Sequence, residues 1–453
     1  MINPQIFRQY DIRGLVGEDL TPEIVETIGR AFGTYIRERG GKKISIGYDI
    51  RLSSESFKDA VISGARTAGI DCVNVGMVPT PVLYFSLFNL EVDGGIMITG
   101  SHNPPEFNGL KLCYNKTTLH GEEIQDVRKI IDSGKFASGS GSLESCSVTE
   151  EYIETVAKGI KLEKPLKIAI DSGNGAASII APVLLRKIGC TVTELFCTPD
   201  GRFPNHHPDP TIKKNLTTLI SEVCNNNLDM GIGYDGDADR IGVIDNKGNI
   251  IWGDQLLILF SREILKKGNA PIVFEVKCSQ ALYDDIVKHG GTPVMWMAGH
   301  SLIKSKMKEL NAPLGGEMSG HMFFADRYFG YDDAIYASCR MAELLSKTSA
   351  SCSELLSDIP VLYNTPEIRV DCTDEEKFEI VKKLTEYFRG IYKVIDVDGV
   401  RFMTNDGWGL IRASNTQPVL VLRFEAPSPE QLEKVKNIAF SKLKEFPSVS
   451  IPA

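Results

Sequence analysis

No long apolar run is present in this chain of 453 residues, and the start, Met1 to Arg8, lacks a basic segment followed by an apolar one. A membrane span and an export signal are therefore not expected, and a cytoplasmic location is. Positive charge is not in excess either: 50 Lys and Arg against 59 Asp and Glu leave a net charge of -9. That balance argues against a general nucleic-acid partner and means that any site for an anionic ligand must be built locally. The 10 cysteines are scattered singly with no C-x-x-C, and the nearest pair, Cys190 and Cys197, has no second pair beside it. Reduced thiols are expected, without disulfides or a zinc site.

What remains is ordinary globular composition, 42% hydrophobic and 24% charged. The length implies roughly three or four domains. Thr21-Pro22-Glu23 reads as a helix start, and Ile24, Ile28, Phe32 and Tyr35 follow at helical spacing until Gly40. A strand over Lys43 to Tyr48, a helix over Ser54 to Ala68, a strand over Cys72 to Val75, a helix after Pro81 and a strand over Gly95 to Thr99 come next. This alternation predicts a mostly parallel α/β sheet.

The same order recurs from Leu166 to Tyr234 and again from Ile272 to Gly315. Ser101, Asp235 and Glu317 each sit just beyond the last strand of one copy. Loops beyond the carboxyl ends of strands face a crevice, so the three are predicted to share one cleft. Linkers are read at Ser138 to Ser142 and at the turn Asn246 to Asn249, and the remainder from about Leu362 reads as a smaller α+β unit.

Four clusters carry chemistry. In Thr99-Gly100-Ser101-His102-Asn103-Pro104-Pro105, glycine and prolines would present Ser101 on a rigid tip, with His102, Lys111, Arg8 and Arg13 as candidate neighbours. Taken alone it reads equally as a proline-rich turn, and Asn103 rules out the G-x-S-x-G elbow of hydrolases. Asp235-Gly236-Asp237-Ala238-Asp239-Arg240 spaces three carboxylates as hard oxygen ligands suited to magnesium, without the glycine and glutamate of an EF-hand. Gly315 to His321 surrounds Glu317, Ser319 and His321 with glycines, equipment for sugar hydroxyls or a surface turn, and Lys277 and His300 would fall at the same crevice. Arg412-Ala413-Ser414-Asn415-Thr416-Gln417 offers a guanidinium fork, hydroxyls and an amide in one turn, good phosphate-binding equipment.

In this order and across nearly the whole chain, the clusters resemble the α-D-phosphohexomutase family, most closely its bacterial-type phosphomannomutase/phosphoglucomutase members. Phe7 to Gly14, which includes Tyr10, Asn108 to Lys111 and Gly299 to Lys304 also match. The resemblance implies three related mixed-sheet α/β domains, 1–147, 148–248 and 249–362, and a smaller α+β domain, 363–453, around one central cleft. It implies a serine phosphorylated in the active enzyme at Ser101 and magnesium ligands at Asp235, Asp237 and Asp239, with Ser101 completing the set. Arg240 would lie beside that site. Arg13, Lys111 and His102 would be basic groups around the phosphoserine, Glu317 and Ser319 readers of sugar hydroxyls, and Arg412, Ser414, Asn415 and Thr416 the grip on the phosphate that is not reacting. Arg8, Tyr10, Lys277, His300 and His321 are carried over as further substrate contacts.

The activity so implied interconverts hexose 6-phosphate and hexose 1-phosphate, of mannose or glucose, through a hexose 1,6-bisphosphate, with glucose or mannose 1,6-bisphosphate as activator. Met318 and Thr99 favour that subgroup over phosphoglucosamine mutase, the nearest alternative. A serine-dependent sugar phosphatase is the other. Either Lys111 or His102 is left as the acid/base, and a monomer or weak homo-oligomer is expected.

Overall fold

Thr21 Oγ1 accepts from Ile24 N and Pro22 occupies the first turn, so a helix runs Pro22–Glu38 where its cap residues place it. It packs on the helix Ser54–Thr67 at a distance no side chain would tolerate: a β-carbon on Gly64 would stand 2.0 Å from Glu26 O. The computed structural model describes residues 2–414 and 418–450, so Asn415 and Thr416 lie outside the described residues.

Three sheets repeat one plan. In the first, Lys43–Tyr48 runs parallel to Asp71–Met77 on one side and to Gly94–Ile98 on the other. In the second, Leu166–Asp171 lies parallel between Cys190–Leu195 and Met230–Tyr234. In the third, Pro271–Glu275 lies parallel between Thr292–Trp296 and Leu314–Gly316. Each sheet then gains an antiparallel strand: Phe107–Tyr114, Ile241–Asp245 and Met322–Phe324 respectively. The sheets are thus mixed. The turn into each antiparallel strand carries the serine, aspartate or glutamate cluster, which is why three distant segments arrive at one place.

Both segments read as linkers belong to the sheets. Ser142 N and Oγ donate to Asp71 Oδ1, and Leu143–Ser145 extends the first sheet parallel to Asp71–Met77. The turn Asn246 to Asn249 closes a hairpin, its N–H groups held by Asp245 Oδ1, and Ile250–Ile251 pairs back on Ile241–Asp245. Polar composition marked Asn246 to Asn249 correctly as a turn but said nothing of the edge strands beside either stretch.

The fourth sheet is antiparallel, built on Val419–Ala426 and Trp408–Ala413 and covered by the helices Lys377–Arg389 and Pro429–Leu443. It has its own core around Val370, Leu384, Phe402 and Phe424, while Trp408 and Leu410 on its other face join a cluster that runs through the second and third units and one face of the first. Arg401, fully buried, docks the fourth unit on the third by donating to Val276 O and Cys278 O at 2.7 Å each, its guanidinium 3.6 Å from the Trp408 ring centroid. No helix among the described residues is long and apolar enough to cross a membrane.

Asp333 is a buried joint between units. It caps the helix Ala334–Ser346 through Tyr336 N at 2.8 Å and accepts from Tyr152 and Tyr328 hydroxyls at 2.9 Å. Burial outweighs these donors and raises its carboxyl to about 6. Between the unfolded value of 3.8 and about 6 the native state binds the extra proton, so this group's contribution to stability is lost as pH rises through that window. The expected size is on the order of 3 kcal/mol. Asp333→Asn should remove that dependence, which denaturant unfolding of both proteins across the window checks.

Candidate active site

Ser101 sits at the tip of its loop in a left-handed conformation, φ 49°, with 2% of its surface exposed. Its N–H donates to Thr99 Oγ1 at 2.8 Å, and its Oγ lies 2.9 Å from Asp235 Oδ2 and 3.2 Å from His102 Nδ1. The serine and aspartate loops touch through bare backbone: a β-carbon on Gly236 would stand 2.4 Å from Ser101 O. The neighbouring histidine therefore does meet the serine. Burial, then Arg240 and Arg13, hold the His102 ring well below its usual range, so it stays neutral.

The three aspartates are buried together. Asp235 Oδ1 accepts from Asp239 N and Arg240 N at 3.1 Å each. Lys111 Nζ donates to Asp237 Oδ2 at 2.8 Å and to Asp239 Oδ2 at 2.5 Å, and Thr80 Oγ1 donates to Asp237 Oδ2 at 2.5 Å. Burial, with repulsion from Asp239 and Asp237, pushes the Asp235 carboxyl well above the usual carboxylate range. Burial acts the same way on Asp237, but Lys111 and Thr80 prevail and hold it below that range. Burial would also lower the Lys111 ammonium, yet Asp237 and Asp239 keep it above its ordinary value. So placed, Lys111 is a fixed positive charge.

Asp237 Oδ1 and Asp239 Oδ1 are buried without a hydrogen-bond partner, and carboxylate oxygens of all three aspartates lie within 4.8 Å of one another. The crowding of three carboxyl groups that pushes Asp235 up is relieved by a bound cation, and two buried carboxylate oxygens are left without a donor. This donor set fits a small divalent cation with hard oxygen ligands.

The loops open on a cleft of about 890 Å³. Arg8, Tyr10, Arg13, Ser101, His102 and Lys111 line it from the first unit, Asp239 and Arg240 from the second, Lys277, His300, Glu317, Ser319 and His321 from the third, Arg412 and Ser414 from the fourth. Arg13 donates to Asn103 Oδ1 at 2.8 Å and to Asp11 Oδ2 at 2.5 Å, which fixes it against the serine loop. Tyr10 reaches across to the third unit, its hydroxyl 2.6 Å from Ala298 O. Glu317 Oε1 accepts from Gly299 N at 2.6 Å, and burial followed by repulsion from Glu275 raises its carboxyl. Lys277 stands between Glu275 and Glu367 at 3.3 and 3.5 Å, and Arg412 pairs with Asp398 at 2.9 Å.

Arg51 was not singled out in the sequence, and it holds the serine loop. Its guanidinium, 3% exposed, donates to the carbonyls of Ser101, Asn103, Pro104 and Phe107 at 2.6 to 2.8 Å. Asp49, 3.3 Å from Arg51 Nε, also accepts from Gly100 N. Both follow directly on the strand Lys43–Tyr48, so a charged pair at the carboxyl end of a buried strand was the available signal. Arg51→Met would leave the buried Asp49 without its cation, though still held by Ser54 Oγ and the N–H groups of residues 51 and 100, and would release four carbonyls; a loss of about 3–5 kcal/mol in denaturant unfolding is expected, with activity falling alongside.

A buried serine hydroxyl on an acidic cluster that fits a cation, facing arginines and lysines across a cleft between four units, defines an enzyme that handles a phosphorylated small molecule. The comparisons agree. Profiles of phosphoglucomutase/phosphomannomutase match in order: alpha/beta/alpha domain I over residues 4–138, domain II over 150–248, domain III over 252–363 and the C-terminal domain over 367–441. A phosphomannomutase/phosphoglucomutase of Pseudomonas aeruginosa is 46% identical over 449 residues, 99% of this chain and 97% of that one. A phosphoglucomutase of Neisseria meningitidis is 42% identical over 453 residues, 99% of this chain and 98% of its own. The crystal structure of a phosphoglucomutase/phosphomannomutase family protein from Burkholderia thailandensis superposes with a TM-score of 0.93 at 41% identity, covering 98% of each chain. The chain belongs to the phosphoglucomutase/phosphomannomutase family and is accordingly a phosphotransferase of the isomerase class.

Proposed function

We propose that the protein interconverts the 6- and 1-phosphates of mannose and glucose, with Ser101 as the carrier of the transferred phosphoryl group. The observation that carries this reading is the contact of Ser101 Oγ with Asp235 Oδ2 at 2.9 Å, on a buried loop tip that opens into the cationic cleft. Phosphoserine 101 gives its phosphoryl group to the free hydroxyl of the bound monophosphate. The P–Oγ bond breaks, a P–O bond to the sugar forms, and the sugar hydroxyl's proton ends on the serine oxygen. The hexose 1,6-bisphosphate then presents its other phosphate to Ser101, the reverse transfer restores phosphoserine, and the isomeric monophosphate leaves. Glucose or mannose 1,6-bisphosphate would recharge enzyme that has lost its phosphoryl group.

Asp235, Asp237, Asp239 and the oxygen on Ser101 would hold magnesium, which when bound neutralises charge on the transferring phosphoryl group. Lys111 and Arg240 add fixed positive charge from the protein. His102, neutral and 3.2 Å from Ser101 Oγ, is placed to carry the proton at that oxygen. Arg412 and Ser414, with Asn415 and Thr416, grip the non-reacting phosphate, while Glu317 and Ser319 select the hydroxyl pattern; Arg8, Tyr10, Arg13, Lys277, His300 and His321 complete the wall. The units divide near residues 147, 248 and 362, and the enzyme works in the cytoplasm as a monomer or weak homo-oligomer without nucleic acid or membrane.

A coupled assay on mannose 1-phosphate, glucose 1-phosphate and glucosamine 1-phosphate, with magnesium and trace glucose 1,6-bisphosphate, tests the reading. Turnover of the first two is expected. Preference for glucosamine 1-phosphate would make it a phosphoglucosamine mutase, and release of inorganic phosphate would make it a phosphatase.

A further inference from the structure

Behind the wall of the cleft lies a carboxylate for which the chemistry above has no use. Asp332 is fully buried. Its Oδ1 accepts from Lys304 Nζ at 2.8 Å. Its Oδ2 has no well-aligned donor, yet it stands 3.3 Å from His321 Nδ1 and 3.5 Å from His300 Nδ1, and both ring nitrogens are themselves buried without a well-aligned partner. Two histidines thus turn the same edge to one carboxylate, their rings 5.6 Å apart and within 23° of parallel, and the Nδ1 of His321 has a second carboxylate oxygen, Asp239 Oδ1, at 3.6 Å.

The opposite edges decide the tautomers. Arg240 Nε lies 2.9 Å from His321 Nε2. A guanidinium N–H only donates, so His321 Nε2 must offer a lone pair and the ring's proton sits on Nδ1, towards Asp332. His300 has the same carboxylate at its Nδ1, and its Nε2 meets no protein group among the described residues, while the ring lines the cleft. Burial, followed by Lys304, also keeps His300 neutral, with a lone pair to offer at Nε2. Lys304 is the cation paired with Asp332.

Resting on the proposed phosphoryl transfer, we infer that Asp332 is a positioning residue for it. Asp332 holds His300 as the Nδ1–H tautomer, so that its Nε2 lone pair faces the cleft as acceptor for a substrate hydroxyl, and it orients the Nδ1–H of His321, whose Nε2 lone pair aims Arg240. A carboxylate that sets an imidazole tautomer is a known device in acid–base sites, where its loss leaves structure intact and rate low.

Asp332→Asn tests this with little change of shape. Lys304 can only donate, so it keeps the amide oxygen on its own side and turns the NH2 group towards the Nδ1 atoms; that of His300 must then accept, while the Arg240 N–H keeps His321 in its tautomer. The expected result is a fall in kcat of roughly 10²- to 10⁴-fold with KM for the sugar phosphate within about threefold, and an unchanged melting temperature. In long-range 1H–15N spectra of 15N-histidine protein, assigned with His300→Gln and His321→Gln, wild type should show the Nδ1–H form at both rings and the variant the Nε2–H form at His300. Wild-type rings with the proton on Nε2 would overturn the inference without any Asp332 variant, as would an Asn variant with unaltered kcat. If wild type turned over no hexose phosphate at all, the proposed function would fail, while the spectra would still report on Asp332 separately.

Discussion

Ser101→Ala is expected to leave a folded protein whose mutase turnover is about 10⁴- to 10⁶-fold below wild type. The fold should survive because alanine keeps the β-carbon already accommodated at φ 49°, and Arg51 holds the loop through main-chain carbonyls that the substitution does not touch. What is lost is the hydrogen bond to Asp235, a cost of about 1–3 kcal/mol for a buried carboxylate oxygen left without its donor. Activity falls much further, since no other hydroxyl among the described residues is placed on both the aspartate cluster and His102. Intact-protein mass spectrometry after incubation with glucose 1,6-bisphosphate should show a phosphoryl adduct on wild type and none on the variant. An alanine variant that turned over at the wild-type rate would remove Ser101 from the reaction.

Asp237→Asn is expected to lower turnover by about 10³-fold and to raise the magnesium concentration needed for half-maximal rate. One carboxylate does two tasks here. Oδ2 takes Thr80 and Lys111, and Oδ1 is the orphaned oxygen that faces the cation space. Asparagine preserves the shape and the backbone bond from Thr80 N to Asp237 O, so folding should hold. The charge that fixes Lys111 and attracts the metal is gone. Chelation of wild type should likewise abolish turnover and added magnesium restore it. A variant within about tenfold of wild type at equal magnesium would show that the cluster serves structure alone.

Much of this site was legible before any fold was known, and particular residues show why. Ser101, Asp235 and Glu317 each follow a short apolar strand after a strand–helix alternation, and that periodicity is local. Gly and Pro in the same segments mark turns for equally local reasons. The antiparallel strands after those turns were harder. Ile241–Asp245 is fully buried, and a short apolar run declares neither its partner nor its direction. Ser138 to Ser142 and Asn246 to Asn249 read as linkers because polar composition marks a connection and not the strand edge that the connection lies against. Asn415 and Thr416, in the phosphate-gripping segment, lie outside the described residues.

Other roles had no sequence signature. Lys111 read equally as base or cation until Asp237 and Asp239, more than a hundred residues away, closed on its ammonium. Arg51 is one arginine after one strand until it meets four carbonyls of another loop. Asp332 gains meaning only from two rings and a lysine that converge on it. By itself, then, the sequence determined the repeated plan, the order of the loops and the residue types at their tips, because these follow from periodicity and backbone preference within a few residues. Tertiary structure alone decided which charges pair, which proton a histidine carries and which oxygens are left for a cation, because burial and pairing are properties of side chains brought together from distant parts of the chain.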